Sequence, residues 1–239
     1  MIIEVCANSV QSAVNADIAG ADRIELCQNL NEGGTTPSFA AIKYCVENLK
    51  LKTFVLIRPR TGDFHYSDLE FEIIKNDVLE CKRLGVSGVV VGFLNADYTI
   101  DINKTRQIVE LAAPMEVTFH RAFDICADPK QALEDIITSG CHRILTSGCK
   151  PTAIEGVENL LNLKNQAAGR IKLLVGSGVN SRNIRELITQ TGLTEFHGSG
   201  KRIIEDSNFS REKEYLDASN WQYAETNTEE IKAMLAARE

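Results

Sequence analysis

The sequence predicts an α/β fold, a closed (β/α)8 barrel of TIM type in a single domain with a C-terminal extension. Three observations carry that expectation. Short apolar or β-branched runs recur about every 25 to 35 residues, with helical periodicity between them, which is the pattern of repeated βα units. Eight such runs are visible, at 2–6, 22–26, 53–57, 88–92, 116–120, 142–146, 171–175 and 194–197. The length of 239 residues is that of a barrel of this type. The competing arrangement is an open doubly wound sheet. No GxGxxG opens the first helix, as its dinucleotide-binding version requires. No linker or low-complexity stretch interrupts the series, so 1–239 reads as one domain, with the barrel over about 1–200 and the extension over about 201–239.

Local chemistry marks the helix ends. Ser67 with Glu70 and Thr152 with Glu155 spell capping boxes, and Asp128, Pro129 and Gln131 give an N-cap, a first-turn proline and a boxed third position. Thr36-Pro37 is suited to opening the second helix. Gly20, Gly85, Gly140 and Gly192 fall where helices should stop, each shortly before a strand. Past Gly200 the pattern loosens into a polar stretch with Trp221 and Tyr223 in a short alternating run. A last helix follows, capped by Asn227 with Glu230. The extension packs either across the barrel or against a second subunit, and the sequence does not choose.

Hydrophobic residues at 44% supply a core of ordinary size, and the net charge of −7 argues against a nucleic-acid or anionic-membrane partner. No secretory leader or run of about 20 apolar residues is visible. The expectation is therefore a soluble, cytoplasmic protein. Seven cysteines without a CxxC point to reduced thiols rather than a disulfide framework. Cys45 and Cys81 fall in helical patterns and read as packing.

Side chains alternate along a strand, so Ile3 and Val5 should face the helices while Glu4 and Cys6 face the barrel axis. The second strand repeats the plan with Glu25 and Cys27; Ile-Glu-Val-Cys and Ile-Glu-Leu-Cys are nearly the same tetrapeptide. Neighbouring strands lie about 4.8 Å apart, which makes Cys6 and Cys27 adjacent thiols with adjacent carboxylates below them. Two thiolates so placed suit a soft ion of low coordination, and Cu(I) fits best. Zinc would need further ligands, with His120 and His197 reaching across. Two plainer readings stand beside this one: the cysteines are small apolar fillers, or they form an adventitious disulfide. Interior glutamates need partners, and Arg23, Arg58, Arg60, Arg121 and Arg143 are the choices.

A second chemistry is written at the strand ends. The third strand runs into Arg58-Pro59-Arg60-Thr61-Gly62-Asp63-Phe64, a stiff cationic loop, and arginine forks suit carboxylate or phosphate. The glycine-rich segment Asn31 to Pro37 leads into a helix N-terminus, a geometry that favours anions. The sixth, seventh and eighth strands end in Thr146-Ser147-Gly148, Gly176-Ser177-Gly178 and Gly198-Ser199-Gly200. Glycines in such loops let backbone N–H groups approach a phosphate, although βα turns use glycine anyway. The stretch Val117 to Asp124 begins as a strand and ends in His120, Arg121 and Asp124. These groups make the alternative function a barrel enzyme acting on a small phosphorylated or carboxylated metabolite. Arg58, Arg60, Arg121, Ser147, Gly176, Ser177, Gly178, Gly198 and Ser199 would bind the anion, and Glu25, His120 and Asp124 would move protons.

Five segments together resemble the CutC family: Gly20 to Cys27, Glu32 to Ser38, Ile57 to Arg60, Val117 to Asp124, and Arg143 to Gly148. The resemblance runs from about residue 2 to 200 and departs from the family pattern at Thr61, where glycine is usual. It implies a (β/α)8 barrel, a cytoplasmic location, a link to copper homeostasis and a homo-oligomer, dimer or tetramer. It also implies Cys6 and Cys27 as Cu(I) ligands, with no organic cofactor and no assigned reaction.

Overall fold

A computed structural model describes residues 1–205 and 222–237. Eight parallel strands close into a barrel in chain order: β1 (Ile2–Ala7), β2 (Arg23–Leu26), β3 (Lys52–Leu56), β4 (Gly88–Val91), β5 (Glu116–Phe119), β6 (Arg143–Thr146), β7 (Lys172–Val175) and β8 (Glu195–Gly198). β8 pairs back onto β1, with His197 opposite Glu4. The outer ring begins with α1 (Val10–Ala19), α2 (Phe39–Asn48), α3 (Asp68–Leu84) and α4 (Ile102–Ala112) and continues with α5 (Pro129–Thr138), α6 (Val157–Ala167) and α7 (Ile184–Thr191). Among the described residues no helix is long and apolar enough to cross a membrane.

Most end signals act as read. Ser67 and Glu70 form the full capping box of α3, Asp128 caps α5, and Gly20, Gly85 and Gly192 end α1, α3 and α7 in the left-handed conformation. Two do not. Ser38 rather than Thr36 caps α2, because the Thr36 hydroxyl accepts the Arg58 backbone N–H at 2.9 Å. Thr152 and Glu155 do bond at 2.8 Å, but they top a turn ahead of α6, which starts at Val157.

After β8 comes an antiparallel hairpin, β9 (Lys201–Glu205) with β10 (Gln222–Thr226), and then α8 (Thr228–Ala236), which lies beside α1 as the eighth helix of the ring. Ile231 and Met234 of α8 are fully buried. The Asn15 amide of α1 donates to the Thr226 carbonyl at 2.9 Å, and the Thr226 N–H donates to Ser12 Oγ at 3.1 Å. The described end of the extension, residues 222–237, thus packs on the barrel's own first helix. Asn227 caps α8, but Glu230 turns away from the cap to accept the N–H and hydroxyl of Ser181 at 2.7 and 2.9 Å. Trp221 lies outside the described residues; Tyr223 is exposed on β10.

Strand parity divides the interior into two layers. Ile3, Val5, Ile24 and Val55 belong to the large apolar cluster between strands and helices. Cys6, Cys27, Phe54, Leu56 and Val90 form a separate small cluster inside the barrel. Below that cluster the axis is filled by charge. The Phe54 ring lies between the guanidinium groups of Arg23 and Arg143, 5.3 and 5.2 Å from its centroid. Both arginines donate to Glu195 Oε2, at 2.6 and 2.8 Å. Arg23 also pairs with Glu4 at 2.5 Å, and Arg143 with Glu116 at 2.9 Å. Gly88 makes room for this, since a Cβ there would come within 2.3 Å of the Phe54 ring. Arg23 and Arg143 are therefore the partners that the interior glutamates need, and Arg58, Arg60 and Arg121 are not.

Removing the shared acceptor should be costly. Glu195→Ala leaves two buried guanidiniums short of charge, and a loss of about 3–5 kcal/mol is expected. Urea denaturation checks it; a loss below about 1 kcal/mol, the level of an exposed pair, would show that water or relaxation replaces the carboxylate.

Candidate functional site

A cavity of about 530 Å³ opens at the carboxyl ends of the strands, where barrels carry their sites. Cys6 and Glu25 line it from β1 and β2, and Arg58 and Phe64 from the segment after β3. His120 and Arg121 follow β5, Ser177 and Gly178 follow β7, and His197 to Ser199 end β8. Leu30, Leu145, Val179 and Lys201 also contribute surface.

The two thiols meet as parity requires, with Cys6 Sγ 3.9 Å from Cys27 Sγ and both residues buried. Only Cys6 reaches the cavity; Cys27 lies beneath the chain at Gly34. The expected level pairing of the two tetrapeptides does not occur. β2 is shifted so that Arg23 faces Glu4 and Glu25 faces Cys6, because barrel closure demands a stagger between neighbouring strands. The shift sets Glu25 one step above Glu4 and places a guanidinium against the lower carboxylate. The Cys6 thiol is pushed well up by its hydrogen bond with Cys27 and by burial. With metal–thiolate bonds of about 2.3 Å, as for zinc, a sulfur separation of 3.9 Å gives a bent S–metal–S angle of roughly 115° rather than a linear one.

Beside the thiols stand Glu4, Glu25 and His197, whose donor atoms lie within 4.8 Å of one another. His197 Nδ1 donates to Glu4 Oε1 at 2.7 Å and is 3.8 Å from Glu25 Oε2. Burial works against both ions, yet the His197 hydrogen bond and Arg23 hold Glu4 down at about 2. Burial also disfavours the His197 imidazolium, but hydrogen bonds to Cys6 and Glu4 and the charge of Glu25 raise its pKa well above the ordinary value. Glu25 is lifted by burial to about 7, and its Oε2 has no hydrogen-bond partner. Two carboxylates in contact with one imidazolium are thus held in different states.

His120 is set by its backbone. Its Nδ1 accepts the Ala122 N–H at 3.1 Å, capping the short 3-10 turn Arg121–Ile125, so the ring proton belongs on Nε2. That atom is buried without a partner. Burial, then the nearby Arg58 charge, lowers the imidazole pKa to about 3, so His120 is a neutral donor. Gly92 leaves space for the ring: a Cβ there would lie 2.3 Å from Cε1.

Several expected site residues are placed elsewhere. Arg60 turns outward to Asp63 and Glu70, at 3.0 and 2.5 Å. Asp124 spends both oxygens on protein, accepting from Thr146 Oγ1 at 2.5 Å, from the N–H groups of Ser147 and Cys149 at 3.1 Å, and from Arg121 Nε at 2.7 Å. It ties the loop after β6 and does not line the cavity. Ser147 Oγ is engaged by Asp124 and the Lys150 carbonyl, and Ser177 Oγ donates to the Pro151 carbonyl at 2.7 Å. Gly176 is set back from the cavity, beside Leu145. Arg121, Ser177, Gly178, Gly198 and Ser199 do line it, as do Glu25, Arg58, His120 and Cys6. Sequence reasoning missed Glu195, which shares the parity of His197, and Phe64, which packs on both Arg58 and His120, with centroid distances of 5.1 and 4.7 Å.

Comparison with known proteins gives a consistent result. A model of the CutC family matches residues 1–202. A Chromobacterium violaceum protein named as a family protein CutC is 44% identical over 240 residues, covering 99% of this chain and 97% of its own. The human copper homeostasis protein cutC homolog is 46% identical over 200 residues, covering 84% of this chain and 73% of that protein. A solved Streptococcus agalactiae chain bearing the CutC name superposes with a TM-score of 0.79 at 32% identity, covering 83% of this chain and 98% of that one.

The state of His120 has a consequence for acid stability. An unfolded histidine takes a proton near 6.5, whereas His120 in the fold resists it down to about 3. Its contribution is present above pH 6.5 and is lost as pH falls toward 3. Between pH 7 and 5 the loss should be about 2 kcal/mol. Urea denaturation of the parent and of His120→Phe at both pH values checks this; equal losses in the two proteins would refute it.

Proposed function

The chain belongs to the CutC family, and from that premise we propose that it serves copper homeostasis by holding Cu(I) between Cys6 and Cys27. The observation that carries the reading is the 3.9 Å separation of the two sulfurs, one of them on the wall of an open cavity. Soft thiolates at low coordination select Cu(I) over harder ions. The ion is cargo here: it would enter past Cys6, and both thiols would give up their protons as it binds. The bent angle leaves room for a third donor on the cavity side. In keeping with this chemistry, all seven cysteines are free, and the reading places the protein in the reducing cytoplasm. A homo-oligomer belongs to the same proposal, on the strength of the family alone.

A second reading is favoured by Glu25 Oε2 and His120 Nε2, two buried polar atoms without partners on the walls of one cavity. Copper storage uses thiols and leaves both atoms unexplained. A carboxyl whose pKa sits near 7 opposite a neutral N–H donor suits proton transfer on a small substrate. That makes the site an acid–base centre of a barrel enzyme.

A Cu(I) titration against a chromogenic competitor under anaerobic, reducing conditions tests the copper reading. The parent should hold one ion, and Cys6→Ser/Cys27→Ser should bind at least about a hundredfold more weakly, some 2.8 kcal/mol. Equal affinity in the two proteins would remove the thiols from the assignment.

A further inference from the structure

Arg58 is a buried cation for which the described residues supply no carboxylate. It is 4% exposed. Its Nη1 donates to the carbonyls of Glu32 and Gly34 at 3.1 and 2.6 Å, and its Nη2 to the carbonyl of Gly62 at 2.7 Å. Nε has no partner. Of five guanidinium N–H groups, two make no well-formed hydrogen bond, and the nearby buried Tyr66 hydroxyl, itself unbonded, offers dipole but no countercharge. The contrast with the barrel floor is direct: Arg23 and Arg143 each contact two carboxylates. Backbone carbonyls offer dipoles but no countercharge, and an unneutralised buried ion costs several kcal/mol.

A second donor stands beside it. His120 Nε2 is buried, carries the ring proton and has no partner. Phe64 packs against both residues and fixes them on one side of the cavity. A cationic fork and a neutral N–H therefore pack on one aromatic ring and line one cavity, which has space for a ligand body.

We propose that this cavity binds a small molecule through a carboxylate seated between the Arg58 guanidinium and Nε2–H of His120. The inference goes beyond both readings above, since it needs neither the thiols nor proton transfer. A planar two-oxygen anion matches the few donors at this end, and arginine pairs with it in bidentate fashion. A phosphate would want more donors, and the hydroxyls of Ser147 and Ser177 are already spent on protein. The rest of the ligand points toward Ser199 and Lys201, which form the far rim. Among the described residues Lys201 makes no ion pair, so a second anionic group is accommodated there. The ligand class is thus a small organic acid, with dicarboxylates favoured.

Isothermal titration calorimetry and thermal unfolding of the whole, copper-free protein with malonate, malate, pyruvate and inorganic phosphate, against chloride at matched ionic strength, test the assignment. At least one carboxylate should bind and raise the melting temperature, more tightly than phosphate does. Arg58→Gln should weaken that binding at least tenfold, with Arg58→Lys in between because it keeps charge but loses the fork. The His120 Nε2 resonance of the parent should shift on titration, and this readout decides the matter if Arg58→Gln does not fold. Failure of all three carboxylates to bind, tighter binding of phosphate, undiminished binding in a folded Arg58→Gln, or a His120 signal that does not move overturns the proposal. Binding without any turnover would leave the carboxylate site standing and remove only the acid–base reading.

Discussion

Two buried guanidiniums share one carboxylate at the floor of the barrel, and the placement of the site follows from that arrangement. Phe54 plugs the axis, and its faces attract cations; Arg23 and Arg143 cover them, and Glu195 binds both arginines. The register of β1 against β2 is the one that puts Arg23 opposite Glu4. A slip of one residue would turn these charges into the apolar layer under the helices. With Arg23 against it, Glu4 stays ionised and accepts the His197 ring N–H. His197 is thereby held as a cation beside Cys6 and Glu25, one pleat above the floor.

Satisfaction of polar groups changes from floor to mouth. Below, the carboxylates and guanidiniums are paired, and each charge has a countercharge. Above, Arg58 lacks a carboxylate, Glu25 Oε2 and His120 Nε2 lack hydrogen bonds, and all three residues face one cavity. Buried unpaired groups are rare and need a reason. A fold that saturates Asp124 so completely a few ångströms away is capable of saturating these as well. Of the five buried side-chain atoms without partners among the described residues, three belong to residues that line this cavity, a pattern that favours a binding site over a structural ion-pair network.

Much of this was legible in the chain. Eight runs gave eight strands because period-two patterns and glycine stops are local signals. Parity alone placed Cys6 and Cys27 inside the barrel and within reach of each other. The stagger between strands was not legible, because shear is a property of the closed barrel and moves Glu25 up to the level of Cys6. Nor did the sequence separate Arg58 from Arg60. They have the same side chain two residues apart, yet one turns inward to three carbonyls and the other outward to Glu70. Ser147 and Ser177 of the strand-end loops read as phosphate donors until their hydroxyls find protein acceptors. The last helix was legible from its Asn227 cap, but its place as the eighth of the ring was not, because the strand pair β9–β10 breaks the βα rhythm that located the other seven.

The thiol pair and the polar cavity are linked through charge. Two neutral thiols that become thiolates around one Cu(I) change the local charge by −1, since two protons leave and one positive ion arrives. That change falls at Cys6, on the strand beside Glu25, in the cavity that Arg58 also lines. Added negative charge there disfavours an anion held at Arg58 and makes His197 harder to deprotonate. By linkage the effect is reciprocal, so an organic acid bound in the cavity would weaken the proposed hold on Cu(I) by the same factor. If both proposals hold, copper and anion would compete for one electrostatic site whose sign is set by the protons on Cys6 and Cys27. A protein that released its metal in response to a metabolite would need the two groups in one cavity, with the buried floor unaffected by either.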